Sequence, residues 1–208
     1  MLDLEDALQR LPLVAILRGL RPEQALAIGE TLVETGFSII EVPLNSPDPL
    51  ASIGLLARQY GDEALVGAGT VTSVAEVRAV VEVGGRLIVM PHFDAEVVAT
   101  ARAAGLYCMP GVATPGEAFA ALHAGVDTLK LFPAELLTPT VTKALRSVLP
   151  AGTRLFPVGG ITPESLAAYW RAGVDGFGLG SALFRKGAST EAVRTRAQAF
   201  VQAFRNLE

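Results

Sequence analysis

Cysteine, histidine and lysine are scarce: 208 residues hold one Cys, two His and three Lys. The lone Cys108 excludes a disulfide framework and a cysteine-based metal cluster. His92 and His123 stand far apart and lack any zinc-ligand spacing, so no metal site is expected. No run of Lys and Arg occurs and the formal net charge is −4, which argues against nucleic acid as a partner. No apolar stretch approaches the roughly 18 residues of a membrane span. The opening Met1-Leu2-Asp3-Leu4-Glu5-Asp6 is acidic where a signal peptide is basic, so a cytoplasmic protein with no membrane partner is expected. Only 18% of residues are charged while 50% are hydrophobic, which excludes disorder and supplies a large core. The length fits one domain, residues 1–208.

What is abundant is alternation. Eight short apolar runs read as strands: Leu13–Leu17, Phe37–Val42, Ala64–Gly67, Leu87–Met90, Leu106–Met109, Thr128–Phe132, Arg154–Val158 and Gly176–Leu179. Between them lie Ala-rich helical patterns such as Pro22–Thr35, Ser73–Val83, Ala95–Ala104, Pro115–Ala124 and Pro163–Ala172, and Thr190–Arg205 closes the chain. Ser73 with Glu76 forms a capping-box pattern, and Pro163 sits at a first helical position. Gly36, Gly84, Gly105, Gly125 and Gly173 follow helices where a left-handed cap is expected. The strands are nearly continuous apolar runs, as strands covered on both faces require. Eight such units predict a (β/α)8 TIM barrel, an α/β fold; a doubly wound sheet would carry fewer strands and lacks its G-x-G-x-x-G fingerprint here.

Barrels place their chemistry at the C-terminal ends of the strands. There the chain carries Arg18, Glu41, Asn45, Thr70, Pro91-His92, Lys130, Gly159-Gly160 and Gly180-Ser181. Lys130 lies inside Thr-Leu-Lys-Leu-Phe, in a chain that uses fourteen arginines and only three lysines. Burial would lower its pKa and make it a nucleophile toward a carbonyl; a snorkelling or ion-paired lysine is the alternative. Glu41, in Ile39-Ile40-Glu41-Val42, suits a general base or an ion-pair partner of Lys130 or Arg18. Arg18 suits a substrate carboxylate, or a loop cap. Thr70 follows glycines that let a ligand approach the backbone. Gly159-Gly160 and Gly180-Ser181, after the last two strands, suit a phosphate, or tight turns. His92 could serve acid–base chemistry, but Pro91-His92-Phe93-Asp94 also reads as a loop ending in a helix cap. His123, Cys108, Phe200 and Phe204 read as structural.

Ile16-Leu17-Arg18-Gly19, Glu41-Val42-Pro43-Leu44-Asn45-Ser46-Pro47, Gly67-Ala68-Gly69-Thr70-Val71, Lys130-Leu131-Phe132-Pro133-Ala134 and Val158-Gly159-Gly160 together resemble the 2-keto-3-deoxy-6-phosphogluconate/phosphogalactonate family of class I aldolases. The resemblance runs from about Leu13 into the last helix. It implies retro-aldol cleavage of a phosphorylated 2-keto-3-deoxy sugar acid to pyruvate and glyceraldehyde 3-phosphate, without cofactor or metal, in a homotrimer. Lys130 would match the Schiff-base lysine and Glu41 the proton-transferring glutamate. Arg18, Thr70 and Pro91 would border the pyruvyl end, and Gly159, Gly160, Gly180 and Ser181 the phosphate. Asn45 and Val158 look like the galactonate branch, whose gluconate counterpart tends to carry Arg and Thr at these places. Phe132-Pro133-Ala134-Glu135 resembles the gluconate type as well, which leaves dual specificity open. An isomerase or synthase on a similar phosphate-binding barrel, or a sugar-phosphate sensor, would not use Lys130 covalently.

Overall fold

The apolar runs become parallel strands because each is covered on both faces. The computed structural model describes residues 2–207. One sheet holds β1 (Leu13–Ile16), β2 (Ile39–Pro43), β3 (Leu65–Gly69), β4 (Leu87–Val89), β5 (Tyr107–Met109) and β9 (Phe177–Leu179), in the order β5-β4-β3-β2-β1-β9. The other holds β6 (Gly111–Val112), β7 (Thr128–Leu131) and β8 (Arg154–Pro157), with β7 in the middle. All pairings are parallel.

The fifth expected strand, Leu106–Met109, forms as β5, and a short strand that the sequence pattern does not predict, β6, follows it. Pro110 separates β5 from β6 and has no N–H to donate, so the pairing changes partner there. Across this break the Lys130 N–H donates to the Pro110 carbonyl at 2.9 Å. On the other side, the Asp175 N–H donates to Leu155 O at 3.0 Å, and Val158 bridges Gly178 in parallel.

Around the strands run α1 (Leu4–Arg10), α2 (Pro22–Glu34), α3 (Pro49–Tyr60), α4 (Val74–Glu82), α5 (Ala95–Ala103), α6 (Pro115–His123), α7 (Pro139–Arg146), α8 (Leu166–Arg171) and α9 (Thr190–Arg205). Ser73 and Glu76 form the expected capping box, and Asp94 caps α5 by accepting from the Glu96 and Val97 N–H groups. The five post-helical glycines all have positive φ. A short 3-10 turn at Pro163–Ser165 replaces the first turn expected of α8.

Side chains of successive strand residues face opposite ways, and this splits the core in two. Leu13, Ala15, Ile40, Val42, Val66, Ala68, Leu129, Leu131 and Leu155 pack outward, in one cluster with the helices. Val14, Ile39, Leu65, Leu87, Val89, Met109 and Phe156 pack together on the inner face. Leu2, Leu4 and Ala7 join that inner cluster, so α1 closes the end of the curled sheet where the strands begin. The strand C-termini stay open.

Candidate active site

Glu41 and Lys130 are polar because of which face they occupy. Ile40 and Val42 go to the helices, which turns Glu41 inward between them; Leu129 and Leu131 do the same for Lys130. Both are nearly sealed from solvent, at 2% and 5% exposure. They line one small interior space with Val14, Ile16, Val89, Met109, Phe156, Val158 and Gly178. Burial penalises charge on each group, and each partly restores the other. Desolvation raises Glu41 to about 7, against opposing pulls from Lys130 and Arg18. It lowers Lys130, with Glu41 pulling the other way. The Lys130 Nζ lies 4.6 Å from the Phe132 ring centroid, so an aromatic face supports the ammonium when it is charged.

Gly67 pairs with Glu41 on β3, and Gly69, two residues on, is a glycine for a steric reason. A side chain at Gly69 would overlap the Glu41 carboxylate. The Glu41 Oε2 is buried and accepts no hydrogen bond, which leaves it available to an incoming donor. Thr70, next along, holds φ at +58°, a strained conformation for a β-branched residue and one that tends to mark functional sites.

Above this pair opens a cleft of about 430 Å³. It shares Ile16 and Val158 with the interior space, so the two lie side by side. Of the expected binding residues, Arg18, Val158, Gly159, Gly160, Gly180 and Ser181 line it. Gly159 and Gly160 have φ of +114° and +62°, so the turn needs glycine and presents bare backbone. Asn45 meets the cleft indirectly: its Oδ1 accepts a 2.8 Å hydrogen bond from Arg18 Nη1. Ser46 Oγ accepts from the Gly19 N–H at 3.0 Å, tying the loops after β1 and β2 together.

Thr70 and Pro91 stand at the open ends of β3 and β4 but line neither cavity. His92 sits exposed beside Pro91. The structure adds Phe132, Glu135, Arg185 and Lys186 to the cleft wall, none of which the strand-end reading assigns to the site. Lys186 carries a faint signal as one of three lysines. The other three sit in loops or apolar segments with nothing in their spacing to mark them. Among the described residues no three His, Cys, Asp or Glu side chains stand together to hold a metal ion, and no helix is long and apolar enough to cross a membrane.

Residues 4–197 match the family described as Aldolase: KDPG and KHG aldolase. The 2-dehydro-3-deoxy-6-phosphogalactonate aldolase of Escherichia coli (strain K12) is 47% identical over 196 residues, covering 94% of this chain and 96% of the relative. The probable 2-dehydro-3-deoxy-6-phosphogalactonate aldolase of Rhizobium meliloti (strain 1021) is 46% identical, covering 93% and 91%. A solved structure described as native KDPGal superimposes with a TM-score of 0.94 at 46% identity, over 95% of this chain and 96% of that one.

Proposed function

Because the chain belongs to the KDPG and KHG aldolase family, we propose that it is a class I aldolase. It cleaves 2-dehydro-3-deoxy-6-phosphogalactonate to pyruvate and D-glyceraldehyde 3-phosphate. The observation that carries this reading is the facing of Lys130 and Glu41 across one buried interior at the foot of an open cleft.

Lys130, held toward its neutral form by burial, attacks the C2 ketone, and loss of water leaves an iminium. Glu41 takes the proton of the C4 hydroxyl. The C3–C4 bond breaks, its electron pair moving into the iminium to give an enamine, and the aldehyde departs. Protonation at C3 and hydrolysis return Lys130 and release pyruvate. Lowered lysine and raised glutamate pKa values suit these roles, since each group must change protonation state near neutrality.

Arg18, steadied by Asn45, receives the substrate carboxylate, with Thr70 and Pro91 bordering the pyruvyl end. Gly159, Gly160, Gly180 and Ser181 receive the phosphate through backbone N–H groups, and Arg185 and Lys186 add charge of the right sign. No metal or cofactor takes part.

The two sheets form one closed (β/α)8 barrel in a single domain, β5 and β6 being a single strand broken at Pro110. The Lys130–Pro110, Asp175–Leu155 and Val158–Gly178 contacts support that closure. The chain assembles as a homotrimer; exposed Leu136, Val141 and Val148, along and beside α7, support contact between copies. A charged phosphate ester does not cross membranes, so the reaction belongs to the cytoplasm.

Pyruvate release from the two C4 epimers, measured in parallel, tests the substrate. Val158 offers no hydrogen bond to a C4 hydroxyl, so a kcat/KM preference for the galactonate of tenfold or more is expected, about 1.4 kcal/mol. Equal rates would mean dual specificity, and a gluconate preference would reassign the substrate.

A further inference from the structure

Resting on the aldolase reading, we propose that Phe132 is a further catalytic residue, whose ring face stabilises the positively charged iminium formed on the Lys130 nitrogen. Lys130 Nζ stands over that ring, 4.6 Å from its centroid, well within the roughly 6 Å at which an aromatic face holds a cation. Phe132 lines the open cleft, from which substrate arrives, and Lys130 lines the interior space beside it. Backbone contacts fix the segment that carries the ring. The Phe132 N–H donates to Val112 O at 3.2 Å, and the Ala134 N–H donates to Val158 O at 2.9 Å. The Ala134 carbonyl in turn accepts a buried 2.8 Å hydrogen bond from the Tyr169 hydroxyl on α8.

The reaction creates a charge where little else supports one. Iminium formation joins the neutral amine to the C2 ketone, takes up one proton, expels the ketone oxygen as water and leaves a positive charge on nitrogen. Apart from Glu41 and Lys130, every residue lining the interior space is apolar. Two charged groups act on the nitrogen, and neither serves the iminium throughout. Arg18 opposes a cation there. Glu41 favours one only while ionised, and it is neutral whenever it holds the proton of the C4 hydroxyl. The negative face of the ring does not titrate, and its attraction for a cation strengthens out of water.

A plain apolar wall would have the same shape, so the test changes the charge distribution of the ring and not its size. Mono-, di- and trifluorinated phenylalanine in place of Phe132 weaken the negative face step by step with little change in volume. Pyruvate with sodium cyanoborohydride reads the iminium: hydride adds to its carbon and the C=N pair returns to nitrogen, so the rate counts the charged species. Above the pH at which Lys130 is half protonated, the trapping rate is expected to fall stepwise, about tenfold over the series. The midpoint of the pH profile should move down, because a weaker ring face disfavours the ammonium as well as the iminium. Phe132→Leu, apolar and without a ring, is expected to trap at least as slowly as the trifluorinated protein. Rates and midpoints that stay level or rise across the series would overturn the proposal, as would a Phe132→Leu protein that traps like wild type. If wild-type Lys130 is trapped while the series stays level, only the Phe132 assignment falls; if wild type is not trapped, the aldolase reading itself falls.

Discussion

At the scale of single residues, the site works by placing ionisable groups where water cannot reach them. Glu41, raised to about 7, is a mixture of acid and base at neutral pH. Its base form and the neutral form of Lys130 both grow as pH rises, so kcat/KM should climb through a limb with an apparent pKa near 7. Glu41→Gln should cut turnover by at least about a hundredfold, and a pH profile of the residual activity should lack that limb. The same shift acts on folding with the opposite sign. Between the ordinary carboxylate value of 4.5 and about 7, the native state binds a proton that the unfolded chain has lost. Stability from this group therefore falls as pH rises across that window, by up to about 3 kcal/mol. Urea denaturation at pH 8 should find Glu41→Gln more stable than wild type, and equal midpoints would contradict the buried-acid account. Gly69→Ala drives a methyl into the Glu41 carboxylate; a loss of about 1–3 kcal/mol is expected in the same assay, together with a fall in kcat. Lys130 and Glu41 are legible in the sequence because a charge set between apolar strand neighbours is costly unless it has a use. Glu135 and Arg185 are not: in loops such residues are common, and only the folded cleft brings them to Gly159-Gly160 and Gly180-Ser181.

At the scale of elements, legibility follows the strength of local signals. The capping box at Ser73–Glu76 and the Asp94 cap bind their own backbone, so the sequence announces them. By contrast, α3 and α7 begin with prolines at their first turns but no side-chain cap bond, and α1 is seven residues long. The eight-unit repeat calls for α3 and α7 without a local pattern that marks their ends, and α1 lies outside that repeat; packing, more than local preference, holds them helical. The break at Pro110 emerges only from the register of neighbouring strands. Where β8 meets β9, Asp175 carries the seam: its Oδ2 accepts from the Leu155 N–H at 2.8 Å and from Arg146 Nη2 at 2.5 Å. Asp175→Ala strands the Leu155 donor and leaves Arg146 with only its bonds to the Gly173 and Thr153 carbonyls, and a loss of about 1–3 kcal/mol is expected. An unchanged denaturation midpoint would mean that the seam is held by packing alone.

At the scale of the whole molecule, one alternation organises everything. Outward residues bind the sheet to its helices, inward residues fill the curl, and α1 closes one end. The same period that buries Ile39 also points Glu41 inward, two residues on and toward the open end. The repeat of strand and helix is readable from composition and periodicity, whereas how copies of the chain meet is not. If they associate through the apolar surface beside α7, light scattering should give three times the 21.7 kDa chain mass. Leu136→Asp, at a side chain now 72% exposed, should shift the particle toward monomer. The central claim, that Lys130 becomes covalently bound to substrate carbon, is tested most directly by incubating the protein with pyruvate and borohydride and mapping the added mass by peptide mass spectrometry. The account predicts a reduced pyruvyl adduct on Lys130 alone, absent in Lys130→Ala. An adduct on Lys143 or Lys186 instead, or none in a protein that still releases pyruvate, would contradict it.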